Sequence, residues 1–563
     1  YRTLRLPNHY YDVGKFRSKL MPEPTEEQRL ILDERESAVV MARPGSGRTF
    51  TLALKIRSIV STLPEYKGVI AISYTNKASD ELRRRCLQSG FDKKNSYFGT
   101  IDRFFIGEVI FPFLPHLFGK APVELAVIKG AELPEEGDRQ SVERLRVTDS
   151  FGTESNIAEL KTLYNRGYVP LDLVGKLAVY VYDRSLACRR YLKARYSHVI
   201  VDEYQDSGHE QHQVFVRLHT AGLVAIAVGD LNQSIYAFSG KSSTYLSELA
   251  NNTAFKTFAL TLNHRCHPSI SNYSLKLMSA SAVFNPEPEQ RVYSRIANGS
   301  ELEIAKFIDK AVPQLKDKFH LANNNAFAIL VRGGRTGELV SSILQTKHRY
   351  FKETLLDSES SLWAQVFKSI LLFASGNSIT RFEILEEDFG LETDSANAQN
   401  VLGLLASIRN WVQTPTEIMP VSEFVQIASI LFPNAESTSS VKILENVLSD
   451  SSSLHSYRPA GEDELQIMTL HKSKGLEFDV VFHLDLYQWI LPGYDAIKGN
   501  QESLVQDLNL HYVGVTRAKL ACILCSSSRR HRKKQNSDNL EIIDAQESSF
   551  FARNQLSTLR KQV

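Results

Sequence analysis

The chain has 563 residues, 43% hydrophobic and 23% charged, with a formal net charge of +2 at pH 7. That length exceeds what one hydrophobic core organises, so several domains are expected, and the composition excludes disordered and fibrous classes. Five scattered cysteines exclude a disulfide framework, no apolar run reaches the roughly 18 residues that span a bilayer, and the balanced charge leaves a nucleic-acid partner open. A cytoplasmic setting (the nucleus in a eukaryote) with no membrane partner is the expectation. The chain starts at Tyr1 with no signal-peptide pattern and no Met, so a native start upstream is expected.

Residues 1–24 read as a polar, aromatic arm with three prolines. Thr25 then opens a helix as N-cap, with Gln28 three residues later as its capping-box partner. A second reading of Gln28, just upstream of a glycine turn, is contact with an adenine edge. Ala38 to Met41 is a short apolar run of strand type, broken by Pro44-Gly45-Ser46-Gly47 before a helical pattern opens at Thr49-Phe50. Strand, glycine turn and helix form the context of a phosphate-binding loop, in which backbone N–H groups and the helix end face an anion. Against the pattern G-x-x-x-x-G-K-[ST], Ala42 replaces the first glycine and Arg48 the lysine.

Repeated strand and helix patterns follow, at 68–85 and 97–105, which predicts a parallel α/β sheet. Residues 106–195 are mostly helical in pattern. His198 to Val201 is a β-branched strand ending in Asp202-Glu203, at the strand end where α/β proteins bind ligands. Asp202 suits Mg²⁺ beside the Thr49 hydroxyl, and Glu203 suits the positioning of an attacking water. A third strand, 223–229, runs into a loop carrying Gln233, Tyr236 and Phe238. Gln233 is placed to sense a γ-phosphate, and the two aromatics offer faces for stacked bases. Further on, 326–332 reads as the opening strand of a second sheet, and 362–373, 401–411 and 421–431 as amphipathic helices. Cys522 and Cys525 sit in an apolar strand and read as buried side chains rather than as a zinc or redox pair.

In order, GSGRT, YTNKASDELRRR, FGTIDRF, DEYQD, GDLNQSIYAFSG, LNHRCHPSI, TLHKSKGLEFDVV and LHYVGVTRAK resemble the motif series of UvrD/Rep/PcrA-type superfamily 1A helicases. The resemblance implies an α/β protein with two RecA-like P-loop parallel-sheet domains and inserted, mostly helical accessory subdomains. The expected division is a first domain over 1–105 and 196–262, an insert over 106–195, a second domain over 263–350 and 456–528, a reduced insert over 351–455, and a basic, polar tail over 529–563.

It also implies ATP and Mg²⁺ as cofactors and 3′→5′ travel on single-stranded DNA or a single-strand/duplex junction. Nucleotide contacts fall on Gln28, Ala42, Pro44, Gly45, Ser46, Gly47, Arg48, Thr49, Phe50, His264, Arg265, Glu477 and Arg517, with Thr49 and Asp202 on the metal side. Glu203, Gln233, Arg48, Arg265 and Arg517 match the catalytic set, the last two reaching across from the second domain. DNA-contacting positions match Tyr74, Thr100, Tyr236, Phe238 and His471. Arg48 in place of lysine, with a planar fork in place of a compact ammonium, predicts that nucleotide binding survives better than hydrolysis. Asn509 departs too, standing in a normally basic pair. An alternative is therefore a nucleotide-gated DNA-binding subunit with weak ATPase in a repair or phage-defence complex. Some defence systems, Gabija among them, pair a short UvrD-like subunit with a separate nuclease.

Overall fold

The computed structural model describes residues 23–563 except 75, 88–89, 124, 236–241, 285, 360, 377–379, 381–383, 386–388, 390, 392–394, 434–435 and 534–539. Thr25 caps the first helix, α1 (Glu26–Asp33), with the reciprocal Gln28 bonds of a capping box. The β-branched and apolar runs form strands β1 (Ala38–Ala42), β2 (Gly68–Ile72), β3 (Tyr97–Gly99), β6 (Tyr196–Val201), β7 (Val224–Gly229) and β8 (Lys256–Leu260). They make one parallel sheet in the order β3-β2-β6-β7-β1-β8.

Alternation along each strand sends side chains to two faces. Val39, Ile70, Val199 and Ala227 join one core, shared with helices from residues 101–182, while Val40, Val69, Ile200 and Val228 join the other. A small parallel pair, β4 (Ala126–Ile128) with β5 (Tyr168–Pro170), lies within the helical stretch.

The second sheet contains β9 (Val292–Ala297), β10 (Phe327–Val331), β11 (His348–Tyr350), β12 (Leu465–Thr469), β13 (Phe478–His483), β14 (Ala518–Ser527) and β17 (Lys561–Gln562). All pairs are parallel, in the order β11-β12-β10-β13-β14-β9-β17. It opens earlier than 326–332, because β9 precedes that strand. Cys522 and Cys525 are free and buried, and their odd spacing puts them in cores on opposite faces of β14. Helices Leu362–Ala374, Ala396–Gln413, Val421–Leu431 and Thr438–Ser449 bury Trp363, Phe367, Leu405 and Phe424 in a core of their own.

Residues 529–563 hold more than polar tail. β15 (Arg529–Lys533) and β16 (Leu540–Asp544) form an antiparallel hairpin, and Phe550, Phe551 and Leu556 pack into the second sheet's core. Burial of those three apolar side chains explains why the segment docks. Among the described residues, no helix is long and apolar enough to cross a membrane.

Candidate active site

The turn between β1 and the helix α2 (Arg48–Thr62) is built on two left-handed glycines, Gly45 (φ 72) and Gly47 (φ 76). Such alternation lets a chain reverse tightly and gathers backbone N–H groups into an anion cradle. Gly47 supplies no side-chain cap to α2, so the positive helix end stays available to an anion. Ala42, Pro44 and Ser46 are buried, while Thr49 and Phe50 are half-buried in the first turn of α2. Ser46 Oγ is buried with no hydrogen-bond partner among the described residues, an orphan that a phosphate oxygen satisfies. Gln28 braces the turn: its Oε1 accepts from Thr25 N at 3.0 Å and its Nε2 donates to Ser46 O at 3.1 Å.

Arg48 closes onto the acids at the end of β6. Its Nε lies 2.8 Å from Asp202 Oδ1, and its Nη2 pairs with Glu203 Oε1. Glu203 stands in left-handed backbone at φ 57, a strained conformation for a non-glycine residue, and Gln205 Nε2 donates to its Oε2 at 2.5 Å. Burial raises the Asp202 carboxyl against the pull of Arg48. Burial also opposes the Glu203 charge, but Arg48 and Lys474 outweigh it and hold Glu203 below the usual carboxylate range. For Arg48, burial is outweighed by Asp202 and then Glu203, so its pKa is raised. The Thr49 hydroxyl and Asp202 carboxylate are hard oxygen donors of the type Mg²⁺ takes, and they fit that ion once the guanidinium has turned away.

The second sheet meets this cluster directly. The segment after β8 lies on the glycine turn: His264 N donates to Gly45 O at 2.8 Å, and a Cβ at Gly45 would stand 2.6 Å from Arg265 Cβ. Arg265 Nε in turn pairs with Glu477 Oε2 at 2.6 Å. Arg517, 2% exposed, donates to the Val513 and Leu476 carbonyls at 3.1 Å each and to Gln233 Oε1 at 3.4 Å. Burial, then the neighbouring Arg265, pushes its pKa down to about 10. Gln233 Nε2 is held by Asp230 Oδ2 at 2.8 Å. The arrangement brings Gln28, Arg48, Thr49, Asp202, Glu203, Gln233, Arg265, Glu477 and Arg517 to one cleft between the sheets.

Four cleft residues were given no role by the sequence reading. Lys474 Nζ, on the second sheet, donates to Asp206 Oδ2 at 2.5 Å and to Gln233 O at 2.9 Å. Gln205 and Asp206 lie in DEYQD, so their place in that motif was the available signal. Asn509, noted earlier only as a departure, is buried and its Nδ2 donates to Ser234 O at 2.9 Å.

Among the DNA-expected positions, Tyr74, Thr100 and His471 follow the ends of β2, β3 and β12, on the carboxyl edges of the two sheets. Thr100 O accepts from Tyr97 Oη at 3.2 Å. Burial, aided by Arg332 and Lys474, takes the His471 pKa down to about 4. Tyr236 and Phe238 lie outside the described residues.

Residues 24–121 and 161–254 match the family described as UvrD/REP helicase N-terminal domain, and 395–529 match the UvrD-like helicase C-terminal domain. Together the matches cover more than half of the chain. It is 24% identical over 514 residues to the Gabija protein GajB of Bacillus cereus (strain VD045), spanning 89% of this chain and 95% of that protein. Identity to DNA helicase II of Rickettsia typhi is 22% over 607 residues, spanning 88% and 90%. For the ATP-dependent DNA helicase Rep of Escherichia coli (strain K12) it is 23% over 615 residues, spanning 88% and 89%.

Proposed function

We infer the function from one premise: the chain belongs to the UvrD/Rep family of helicases. It is then an ATP-dependent enzyme acting on DNA, and we assign it 3′→5′ travel along single-stranded or partly duplex DNA. The observation that supports this most is the seating of the Arg265 segment on the glycine turn, with Arg517 joined to Gln233 across the cleft. One triphosphate in that cleft touches both sheets, so its hydrolysis loosens a contact between them and changes their separation.

In this reading the first RecA-like domain takes 1–105 and 196–262 and the second takes 263–350 and 456–528, with inserts at 106–195 and 351–455. Gly45, Ser46, Gly47 and Arg48 hold the phosphates, and Gln28, His264 and Glu477 border the nucleotide. Thr49 and Asp202 would hold Mg²⁺, which would supply charge neutralisation on the phosphate oxygens. Glu203 orients the attacking water and receives its proton, while Arg265 and Arg517 stabilise charge developing on the γ-phosphate. Tyr74, Thr100 and His471, with Tyr236 and Phe238, contact the strand.

A second reading is favoured by the Arg48 ion pairs. A guanidinium bridging the metal-side acid and the water-positioning acid must let go of both before hydrolysis begins. That supports slow turnover in a nucleotide-gated DNA-binding subunit of a repair or antiviral-defence complex, with a protein partner such as a nuclease. Likeness to a Gabija protein points the same way.

A coupled ATPase assay with and without oligo-dT separates the readings. Turnover stimulated by DNA supports the motor. Tight DNA binding with negligible turnover, restored by Arg48→Lys, supports the gated subunit. An absence of DNA binding excludes both.

A further inference from the structure

One exposed aromatic pair lies outside every motif used above. The loop between β13 and the helix Gln501–Val515 carries Trp489 and Tyr494, 40% and 63% exposed. Their ring centroids are 5.9 Å apart, with 37° between the planes. The Lys498 ammonium sits 5.9 Å from the Trp489 centroid and 5.7 Å from that of Tyr494. Of the three tryptophans in the chain, Trp363 and Trp411 pack into the core of the helical insert. Trp489 alone stands at the surface.

The loop is held in place on both sides of Trp489. Tyr487 is buried, with its Oη 2.5 Å from Ser527 Oγ, and Gln488 N donates to Gln546 O at 2.9 Å. Leu491 is buried, and its carbonyl accepts from Ser548 Oγ at 2.5 Å. Gly493 N donates to Asp507 Oδ2 at 2.7 Å. Between these anchors Trp489 takes φ 73, which a non-glycine residue keeps only where its surroundings over-determine it. The platform is preorganised, so little is lost in ordering it around a ligand.

Its place in the sheet supplies the second argument. Strands β12, β10 and β13 are neighbours, and the residues past their carboxyl ends include His471, Arg332 and the Trp489 loop respectively. Contacts link the last two: Arg332 Nη2 lies 3.9 Å from Asp507 Oδ1, and Asp507 holds Gly493, which bridges to Trp489. A cation, an arginine and two aromatic faces thus continue the row begun by His471. Stacking faces beside positive charge suit an unpaired nucleotide, whose base has a π-face and whose phosphate is anionic.

We propose that Trp489 and Tyr494, with Lys498 at their edge, form a base-stacking ledge for one or two unpaired nucleotides of bound DNA. An incoming base takes the ring faces, and the exposed Lys498 side chain moves from the rings to a phosphate. The proposal rests on the DNA-binding reading and adds to it a ligand subsite on the second sheet.

The test compares oligo-dT with an abasic oligonucleotide of equal length, which keeps the phosphates and lacks the bases, using fluorescence anisotropy. Trp489→Ala is expected to weaken oligo-dT binding on the order of 5- to 100-fold while leaving abasic binding nearly unchanged, as base–aromatic stacking predicts. Trp489→Phe, which keeps a face, restores most of the loss, and Tyr494→Ala on the exposed partner guards against misfolding of one variant. Equal losses on both oligonucleotides, or no loss on oligo-dT, overturn the ledge and leave the helicase reading standing. If the wild-type protein binds neither oligonucleotide, the ledge and the DNA-binding reading fall together. Binding of a proline-rich peptide to Trp489, with oligo-dT binding unaffected by its substitution, would make the pair a protein-docking site and overturn the proposal.

Discussion

The two sheets carry their halves of the cleft in opposite electrical states. On the first, Asp202 and Glu203 are paired from within by Arg48 in the turn beside them, and Lys474 of the second sheet adds to its pull. On the second, Arg517 is as deeply buried but is met by two backbone carbonyls and the neutral Gln233 amide. Its lowered pKa reports that discomfort. Among the described residues Arg517 has no ion-pair partner, only the more distant pull of Glu203, and a cation so buried is costly unless an anion is on its way. One side is therefore satisfied at rest and must be unlocked, while the other is poised for an incoming negative charge.

The sharpest way to break this comparison is Glu203→Gln. It keeps a hydrogen-bonding shape for Arg48 and Gln205 but removes the base, so hydrolysis should fall on the order of 10³-fold with ATP binding nearly unchanged. Single-turnover hydrolysis and nucleotide titration measure the two; persistent turnover would give that role to another residue. Arg517→Ala should cost a similar or slightly smaller factor in turnover, on the order of 10²- to 10³-fold, while DNA binding without nucleotide stays intact. A loss confined to thermal stability would show that Arg517 only packs the cleft.

Acid tests the two sides together. On the helix Gln501–Val515, which leads to Arg517, His511 Nδ1 lies 2.9 Å from His483 Nε2; both rings are buried, and burial takes His483 down to about 4. His511 is depressed further, by burial and by His483. Both rings are needed neutral, so their stabilisation is complete above the unfolded value near 6.5 and is lost as pH falls from there towards 4. For His483 alone the linkage is on the order of 3 kcal/mol. Glu203 keeps its charge through that window. His198 on β6 is depressed to about 4 by burial as well, so both sheets should weaken in acid, seen as a falling Tm between pH 7 and 4.5; a constant Tm would refute it. The smallest expected change is Arg48→Lys, which trades a bidentate grip for a point charge and should raise DNA-stimulated turnover roughly tenfold. Unchanged or lower turnover would mean that the Arg48 pairing does not limit the rate.

Most of the sheet scaffold could be read from sequence, because runs such as Val199–Ile200–Val201 and Phe327–Ala328–Ile329–Leu330–Val331 carry their burial in their composition. The Thr25–Gln28 cap was equally visible, being a local three-residue pattern. The cross-cleft contacts were not. Nothing near Lys474 in the chain says that it will meet Asp206, 268 residues away, and Asn509 looked like a lost charge until its bond to Ser234 appeared. The docked segment after residue 528 was hidden because its polar hairpin outweighs Phe550 and Phe551 in any compositional window. Local physics is written in local residues; pairings across a cleft depend on topology.

Gly45 carries one more consequence. With Arg265 Cβ 2.6 Å from the place a Cβ at 45 would take, any side chain there would prise the turn from the segment that leads out of β8 towards the second sheet. The left-handed backbone at Gly45 adds a conformational penalty to every replacement. A missing methyl group is thus what lets Arg265 lie against the turn.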